Sequence, residues 1–191
     1  MKLLHLDSSA LGAHSATREI TAAIVARQLQ RDSATRVVHR DLAAQPLPHL
    51  DGAILGGEDP AGAAESAAVL EEFLAADTVV IGAPMYNFGI PSALKAWVDR
   101  IAVAGRTFRY TADGPEGLVQ GKTVIVAVAA GGLHAARPSD FVEPYLRQVF
   151  GFIGVTDLRF VRAEGLAFSP AQRRAAIDAA LDDAVDLPRA A

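Results

Sequence analysis

A three-layer α/β sandwich, with five parallel strands in the order 2-1-3-4-5 and helices on both faces, is the fold class predicted for this 191-residue chain. Three observations predict it. Short aliphatic runs alternate with longer stretches of helical period, the signature of successive βαβ units. Two of those runs, Val79-Val80-Ile81 and Val124-Ile125-Val126 with Val128, are apolar at consecutive positions, as in strands covered by helices on both sides. Crossovers between parallel strands are right-handed, which leaves few topologies for five strands and five helices.

The strands are expected at Lys2 to Asp7, Thr35 to Arg40, Thr78 to Ala83, Thr123 to Ala129 and Leu158 to Ala163. The third and fourth, being the most apolar, belong in the centre. The first helix follows Thr17 and carries Ile20, Ala23 and Ile24 on one face. A Gly/Pro-rich loop from Gly52 to Gly62 precedes the second, expected near Ala64 to Ala75. The third opens at Pro91, a residue favoured at the first helical position, and runs Leu94, Trp97, Val98, Ile101 at helical spacing. The fourth falls near Asp140 to Phe150, with Pro144 leaving its start open. Ser169-Pro170-Ala171-Gln172 fits a capping box for the last helix, whose buried stripe is Ile177, Ala180, Leu181 and Ala184. At this length one domain, residues 1–191, is expected.

Composition narrows the chemistry. The net charge of -4 is spread without a run of like charges, which disfavours nucleic acid and anionic lipid as partners. There is no cysteine, so disulfides, thiolate metal sites and a thiol nucleophile are excluded, and redox chemistry must come from a bound cofactor. No metal ligand set is assigned. Leu3, Leu4 and Leu6 are followed at once by Asp7-Ser8-Ser9, too short a run for a secretory leader, and no apolar stretch reaches the ~20 residues of a membrane span. A cytoplasmic protein is expected.

Ligands in such sheets bind beyond the carboxyl ends of the strands, beside strands one and three. Three loops lie there. Ser8 to Thr17 joins strand one to the first helix and is dense in hydroxyls. Helix-start amides, the positive end of the dipole and Ser/Thr donors suit a monophosphate held by Ser9, Ser15, Ala16 and Thr17, Ala16 through its amide alone. A plain helix cap at Ser15 or Thr17 reads as well. The loop lacks G-x-G-x-x-G and G-x-x-x-x-G-K-[ST], which argues against a pyrophosphate site or a P-loop. The second loop, Pro84 to Pro91, places Met85, Tyr86 and Phe88 beside Asn87, a composition that offers apolar contact to the faces of a flat ring and a hydrogen bond to its edge. Asn87 as a simple turn-former remains open. The third, Ala129 to His134, carries Gly131 and Gly132, which let backbone amides approach a ligand, and His134, which either joins that edge or is merely solvated.

These loops, in this order, resemble the FMN-dependent NADH:azoreductase/NAD(P)H:quinone reductase family of flavodoxin-like proteins. The likeness continues through Leu94-Lys95-Ala96-Trp97, Ala104-Gly105, Thr107 to Thr111, Asp113 to Leu118, Gly121-Lys122, Glu143 to Leu146, Gly151 to Asp157 and Ala163-Glu164-Gly165. It covers nearly the whole chain and is weakest over Gly52 to Ala68 and the last helix. The resemblance implies a flavodoxin-like fold, non-covalent FMN, and NADH or NADPH as donor for reduction of quinones and azo compounds. It further implies that Ser9 and Ser15 to Thr17 hold the FMN phosphate, Met85 to Phe88 the ribityl chain and ring, and Gly131, Gly132 and His134 the pyrimidine edge. Tyr110 and Phe152 match positions that, with Asn87, wall a substrate pocket built partly by the second subunit of a homodimer. No side-chain acid or base is demanded, since the chemistry sits at flavin N5.

Two departures from the family pattern stand out. Ala129-Ala130 replaces a Ser often found before the paired glycines, which removes a side-chain hydrogen bond there. Glu58 and Asp59 are acidic where some relatives are basic, which predicts preference for NADH by repulsion of a 2′-phosphate. Three other readings compete with this one. A non-catalytic electron carrier calls for a strongly acidic docking face, and a signalling receiver for an acidic cluster after strand one; the chain has neither pattern. A hydrolase around Ser9 with His5, His14 or His134 lacks the G-x-S-x-G elbow.

Overall fold

The computed structural model describes residues 1–184; the final residues of the expected domain, 185–191, lie outside the described residues. Along the chain run β1 (Lys2–Asp7), α1 (Ala16–Arg31), β2 (Arg36–Asp41), α2 (Gly52–Gly56), α3 (Pro60–Ala75), β3 (Thr78–Pro84), α4 (Ser92–Ile101), β4 (Phe108–Thr111), β5 (Gly114–Gly117), β6 (Thr123–Ala129), α5 (Glu143–Phe152), β7 (Asp157–Ala163) and α6 (Pro170–Asp183). The main sheet has the order β2-β1-β3-β6-β7, and every neighbouring pair is parallel. This is the predicted flavodoxin-like order, and the five predicted strands match to within a residue at each end.

Alternation of side chains across the sheet separates two cores. Leu4, Leu6, Val79, Ile81, Val124 and Val126 face Phe73 of α3, Trp97 of α4 and Phe150 of α5. Leu3, Val80, Ile125, Ala127 and Val161 face Ile20 and Ile24 of α1 and Ile177 of α6. All of β3 and β6 is buried, as their unbroken apolar sequences require. Each buried aliphatic side chain contributes about 1.5–3 kcal/mol, so the two central strands dominate the hydrophobic stabilisation of the sheet. Among the described residues no helix is long and apolar enough to cross a membrane.

The helix starts shift for local reasons. Asp59 Oδ1 accepts the amides of Ala61 and Gly62, both at 3.1 Å, so α3 begins at Pro60 instead of Ala64. The segment read as a loop also contains α2, capped by Asp51 on the Ile54 amide at 2.9 Å and ended by left-handed Gly57. Pro91 is the N-cap of α4 instead of its first helical residue. Asp140 receives the amides of Val142 and Glu143, which sets the start of α5 at Glu143 and puts Pro144 in the first turn, where its missing N–H costs nothing. Ser169 caps α6 through the Gln172 amide at 3.2 Å. The β4–β5 hairpin was not foreseen.

Candidate functional site

The carboxyl end of β1 leads into a loop fixed from several sides. Ser8 Oγ donates to the Gly82 carbonyl of β3 at 2.5 Å, and the Tyr86 hydroxyl accepts the Ala10 amide at 3.1 Å and lies 3.2 Å from Ser9 Oγ. Ser15 caps α1 through the Arg18 amide at 3.3 Å, and its Oγ is 3.0 Å from Thr17 Oγ1. Ser9, Ser15 and Thr17 are all but inaccessible from outside, yet they line a cavity of about 230 Å³. The first-turn amides of Ala16 and Thr17 have no acceptor within their own helix, and the helix dipole favours an anion before them.

Behind this loop stands Arg18. Its guanidinium donates to Asp41 at 2.7 and 2.8 Å and to the Ser9 carbonyl at 3.0 Å, tying the end of β2 to the loop. Chiefly because of those bonds, Asp41 is held down at about 2. A carboxyl with a depressed native pKa contributes stability that is present above its unfolded value and lost as pH falls through the folded one. Acid titration of the folded protein is therefore expected to show a loss of stability between about pH 4 and pH 2 that Asp41→Asn lacks. Chemical denaturation across that range measures it; identical profiles for the two proteins would count against this pair.

The second wall comes from the loop after β3. Tyr86 and Gly89 exchange both backbone hydrogen bonds, at 3.0 and 3.1 Å, around Asn87 and Phe88, whose φ angles are 50° and 72°. Two positive φ values make this a type I′ turn, which Asn accepts and Phe does not favour. Strain of this kind costs on the order of 1–3 kcal/mol per residue and persists where surroundings impose it, commonly at functional sites. The turn sets the half-exposed Phe88 ring edge-on to His134, centroids 5.8 Å apart.

The third wall is Ala129, Ala130 and Gly131. The Met85 amide bonds to the Ala129 carbonyl at 2.8 Å, joining the second and third loops. From the far side, the amides of Gly165, Leu166 and Ala167 reach the carbonyls of Gly132, Ala130 and Gly131. A Cβ on Gly132 would stand 2.9 Å from His134 Nε2, so glycine is needed for that ring to fold back. His134 is held by Ser139 Oγ at 2.9 Å from Nδ1, and Glu164 accepts the amides of His134 and Ala135.

The structure thus brings Ser9, Ser15, Ala16, Thr17, Met85, Tyr86 and Gly131 together around one cavity. Asn87, Phe88, Gly132 and His134 sit in the same loops just outside it. Tyr110 and Phe152 lie elsewhere in this chain: Phe152 lies tilted against Phe108 with centroids 4.5 Å apart, and Phe108 meets Tyr110 edge-on at 5.6 Å. Sequence reading missed Leu11, Pro84, Leu166, Ala167 and Arg173, which also line the cavity, as do Ala129 and Ala130. Arg173 stands in the first turn of α6 and donates to the His14 carbonyl at 2.9 Å. The site offers hydroxyls, free amides and one cation at one end and Met85, Pro84, Leu166 and small residues elsewhere; among the described residues no carboxylate lines it. That donor set fits a phosphomonoester joined to a flat apolar group.

Comparison with known proteins agrees. The flavodoxin-like fold family is matched over residues 1–187. An FMN-dependent NADH:quinone oxidoreductase of Xanthomonas euvesicatoria is 61% identical over 181 residues, covering 95% of this chain and 93% of that one. The chain belongs to this oxidoreductase family. A second member, from Bradyrhizobium diazoefficiens, is 52% identical over 202 aligned positions and covers both chains completely. The solved azoreductase of Bacillus anthracis superposes with a TM-score of 0.90 at 28% identity, covering 98% of each chain. Among the described residues, the hydrogen bonds of Ser9 Oγ go to the Tyr86 hydroxyl and the Leu11 amide and to no histidine, so a hydrolase built on Ser9 finds no base.

Proposed function

We propose that the chain is a cytoplasmic FMN-dependent NADH:quinone oxidoreductase that reduces quinones to hydroquinones and also cleaves aromatic azo compounds. The observation that carries this reading is the single cavity in which buried hydroxyls at a helix start face a wall of methionine, proline and close backbone. The hydroxyls of Ser9, Ser15 and Thr17 and the Ala16 amide hold the FMN phosphate, with Arg173 supplying charge. Met85 to Phe88 hold the ribityl chain and the ring, and Gly131, Gly132 and His134 face its pyrimidine edge, where N–H donors stabilise negative charge. Bound FMN would supply two-electron hydride chemistry at N5, with NADH and the planar acceptor using the same stacking place in turn, a ping-pong order.

The enzyme works as a homodimer in this reading. Phe88, Leu133, Phe141 and Phe168 stay about half exposed or more around the loops, and Tyr110 is 75% exposed, an apolar surface suited to cover by a second subunit. The FMN-dependent enzyme names of relatives that match over nearly the full length weigh against a non-catalytic electron carrier. The test is direct: the protein with added FMN should show a flavin spectrum that NADH bleaches anaerobically. Steady-state rates with a small quinone should then give parallel double-reciprocal lines, whereas intersecting lines would point to a ternary complex. Glu58 and Asp59 favour NADH over NADPH, and equal kcat/KM for the two donors would remove that part.

A further inference from the structure

A second cluster of chemically competent side chains lies on the other side of Asp7. β1 and β2 pair in a register that sets His5 directly beside His39, and Asp7 projects from the same face as His5 two residues on. The two imidazoles are 4.6 Å apart between centroids. Asp7 Oδ2 is 3.0 Å from His39 Nε2, and Asp7 Oδ1 is 3.6 Å from His5 Nε2; the three ligand atoms all lie within 4.8 Å of one another. His5 is only 8% exposed, and its Nε2 points into this cluster with no hydrogen-bond partner. A buried nitrogen left in that state costs about 1–3 kcal/mol and calls for an explanation.

We propose that His5, Asp7 and His39 bind one zinc-class divalent cation, with the fourth coordination position open to solvent beside His39. Two imidazoles and a carboxylate are the donor set that borderline divalent metals prefer. Tetrahedral bonds of 2.0–2.1 Å would place ligand atoms about 3.3 Å apart, and each imidazole Nε2 already stands near that distance from an Asp7 oxygen, His39 at 3.0 Å from Oδ2 and His5 at 3.6 Å from Oδ1. Bringing both nitrogens onto one metal asks for small turns of the Asp7 carboxylate and of the His39 ring, which is 48% exposed. Thr21 Oγ1 donates to Asp7 Oδ1 at 3.1 Å, the kind of bond that orients a ligating carboxylate from behind. Arg18 opposes a cation from 3.5 Å, but its charge is already met by two bonds to Asp41. With neutral imidazoles, Asp7 and Asp41 against Arg18 leave one net negative charge for the metal to meet.

None of the three ligands lines the flavin cavity, so the proposal stands independently of the flavin reading. The test uses FMN-loaded protein stripped with a chelator, dialysed, then titrated with zinc chloride by calorimetry, with metal content measured after a second dialysis. One zinc per chain is expected. His39→Phe is expected to weaken uptake at least tenfold, as is His5→Gln, whereas His49→Gln, at an exposed histidine outside the cluster, leaves it unchanged. Failure of the wild-type protein to retain stoichiometric zinc overturns the site. So does equal uptake by His39→Phe, which would mean that His39 merely pairs with Asp7. Because His39 is half exposed, that variant serves even where His5→Gln does not fold.

Discussion

Ser15→Asp is expected to abolish FMN retention while leaving the protein folded. Aspartate caps helices as well as serine does, and its carboxylate both takes the Arg18 amide, now bonded to Ser15 Oγ at 3.3 Å, and suits the positive end of the helix dipole. The cap and the helix dipole offset the cost of a carboxylate at this nearly inaccessible position, so the protein should remain folded. Ligand binding should not survive. The Ser15 side chain lines the cavity together with Ser9 and Thr17, so in the proposed site a carboxylate there would meet the phosphate directly. Two like charges about 4 Å apart at an effective dielectric of 20 repel by about 4 kcal/mol, which is roughly three orders of magnitude in Kd. Fluorescence titration of FMN, read beside a thermal melt, separates the two roles. Unchanged FMN affinity would reduce Ser15 to a cap and move the phosphate elsewhere.

How much of this was legible in the sequence follows from how local each signal is. β3 and β6 are buried on both faces, so their residues admit little but a central parallel strand, and their ends came out within a residue. The β4–β5 hairpin is the opposite case. Its strands are four residues each, mostly exposed, and contain Gly114, Pro115 and Gly117, which have poor strand propensity. Asp113-Gly114 is a common hairpin turn pair, yet the turn residues here are Ala112 and Asp113 with Gly114 paired to Thr111, so even that signal sets the register one residue out. Helix starts moved where an aspartate ahead of a proline, as at Asp59-Pro60, was read as loop when it was a cap followed by the first helical residue.

The site divides along the same line. Ser9, Ser15 and Thr17 were legible because a hydroxyl-rich loop between a strand and a helix start makes an anion site from neighbours in sequence. Arg173 was not, because it reaches the cavity from α6, and nothing in its own sequence surroundings marks it as a ligand. Leu166 and Ala167 depend on the β6–β7 register and on backbone bonds to Ala130 and Gly131. The His5–His39 pairing is of this kind too: it arises from the alignment of β1 with β2, and reading His5 singly could not find it.

Gly117→Ala should be among the most destabilising single-methyl additions in this chain. A Cβ at Gly117 would lie 2.2 Å from the Gly154 nitrogen, 2.4 Å from its Cα and 2.5 Å from the Ile153 carbonyl carbon. All three are backbone atoms, so no rotamer change relieves the clash. Nor can the partner yield easily, because Gly154 has φ +102°, a conformation side chains rarely adopt, and its own missing Cβ faces Gly117. β5 must lift away, which endangers the Val119 amide bond to the Ile153 carbonyl at 2.9 Å and the burial of both side chains. Overpacking of this severity costs about 3 kcal/mol, or roughly 6–12 °C in Tm for a chain of this size. Gly151→Ala is the control: nothing lies within 4 Å of its Cβ, and helix propensity makes the change neutral or favourable by up to about 1 kcal/mol. Equal melting of Gly117→Ala and wild type would show that the hairpin is not seated by this glycine contact. The functional readout is selective as well. If Tyr110, carried on β4, walls the acceptor pocket, Gly117→Ala lowers kcat/KM for the quinone yet leaves FMN affinity untouched, since the cavity proposed for the phosphate is built from other loops.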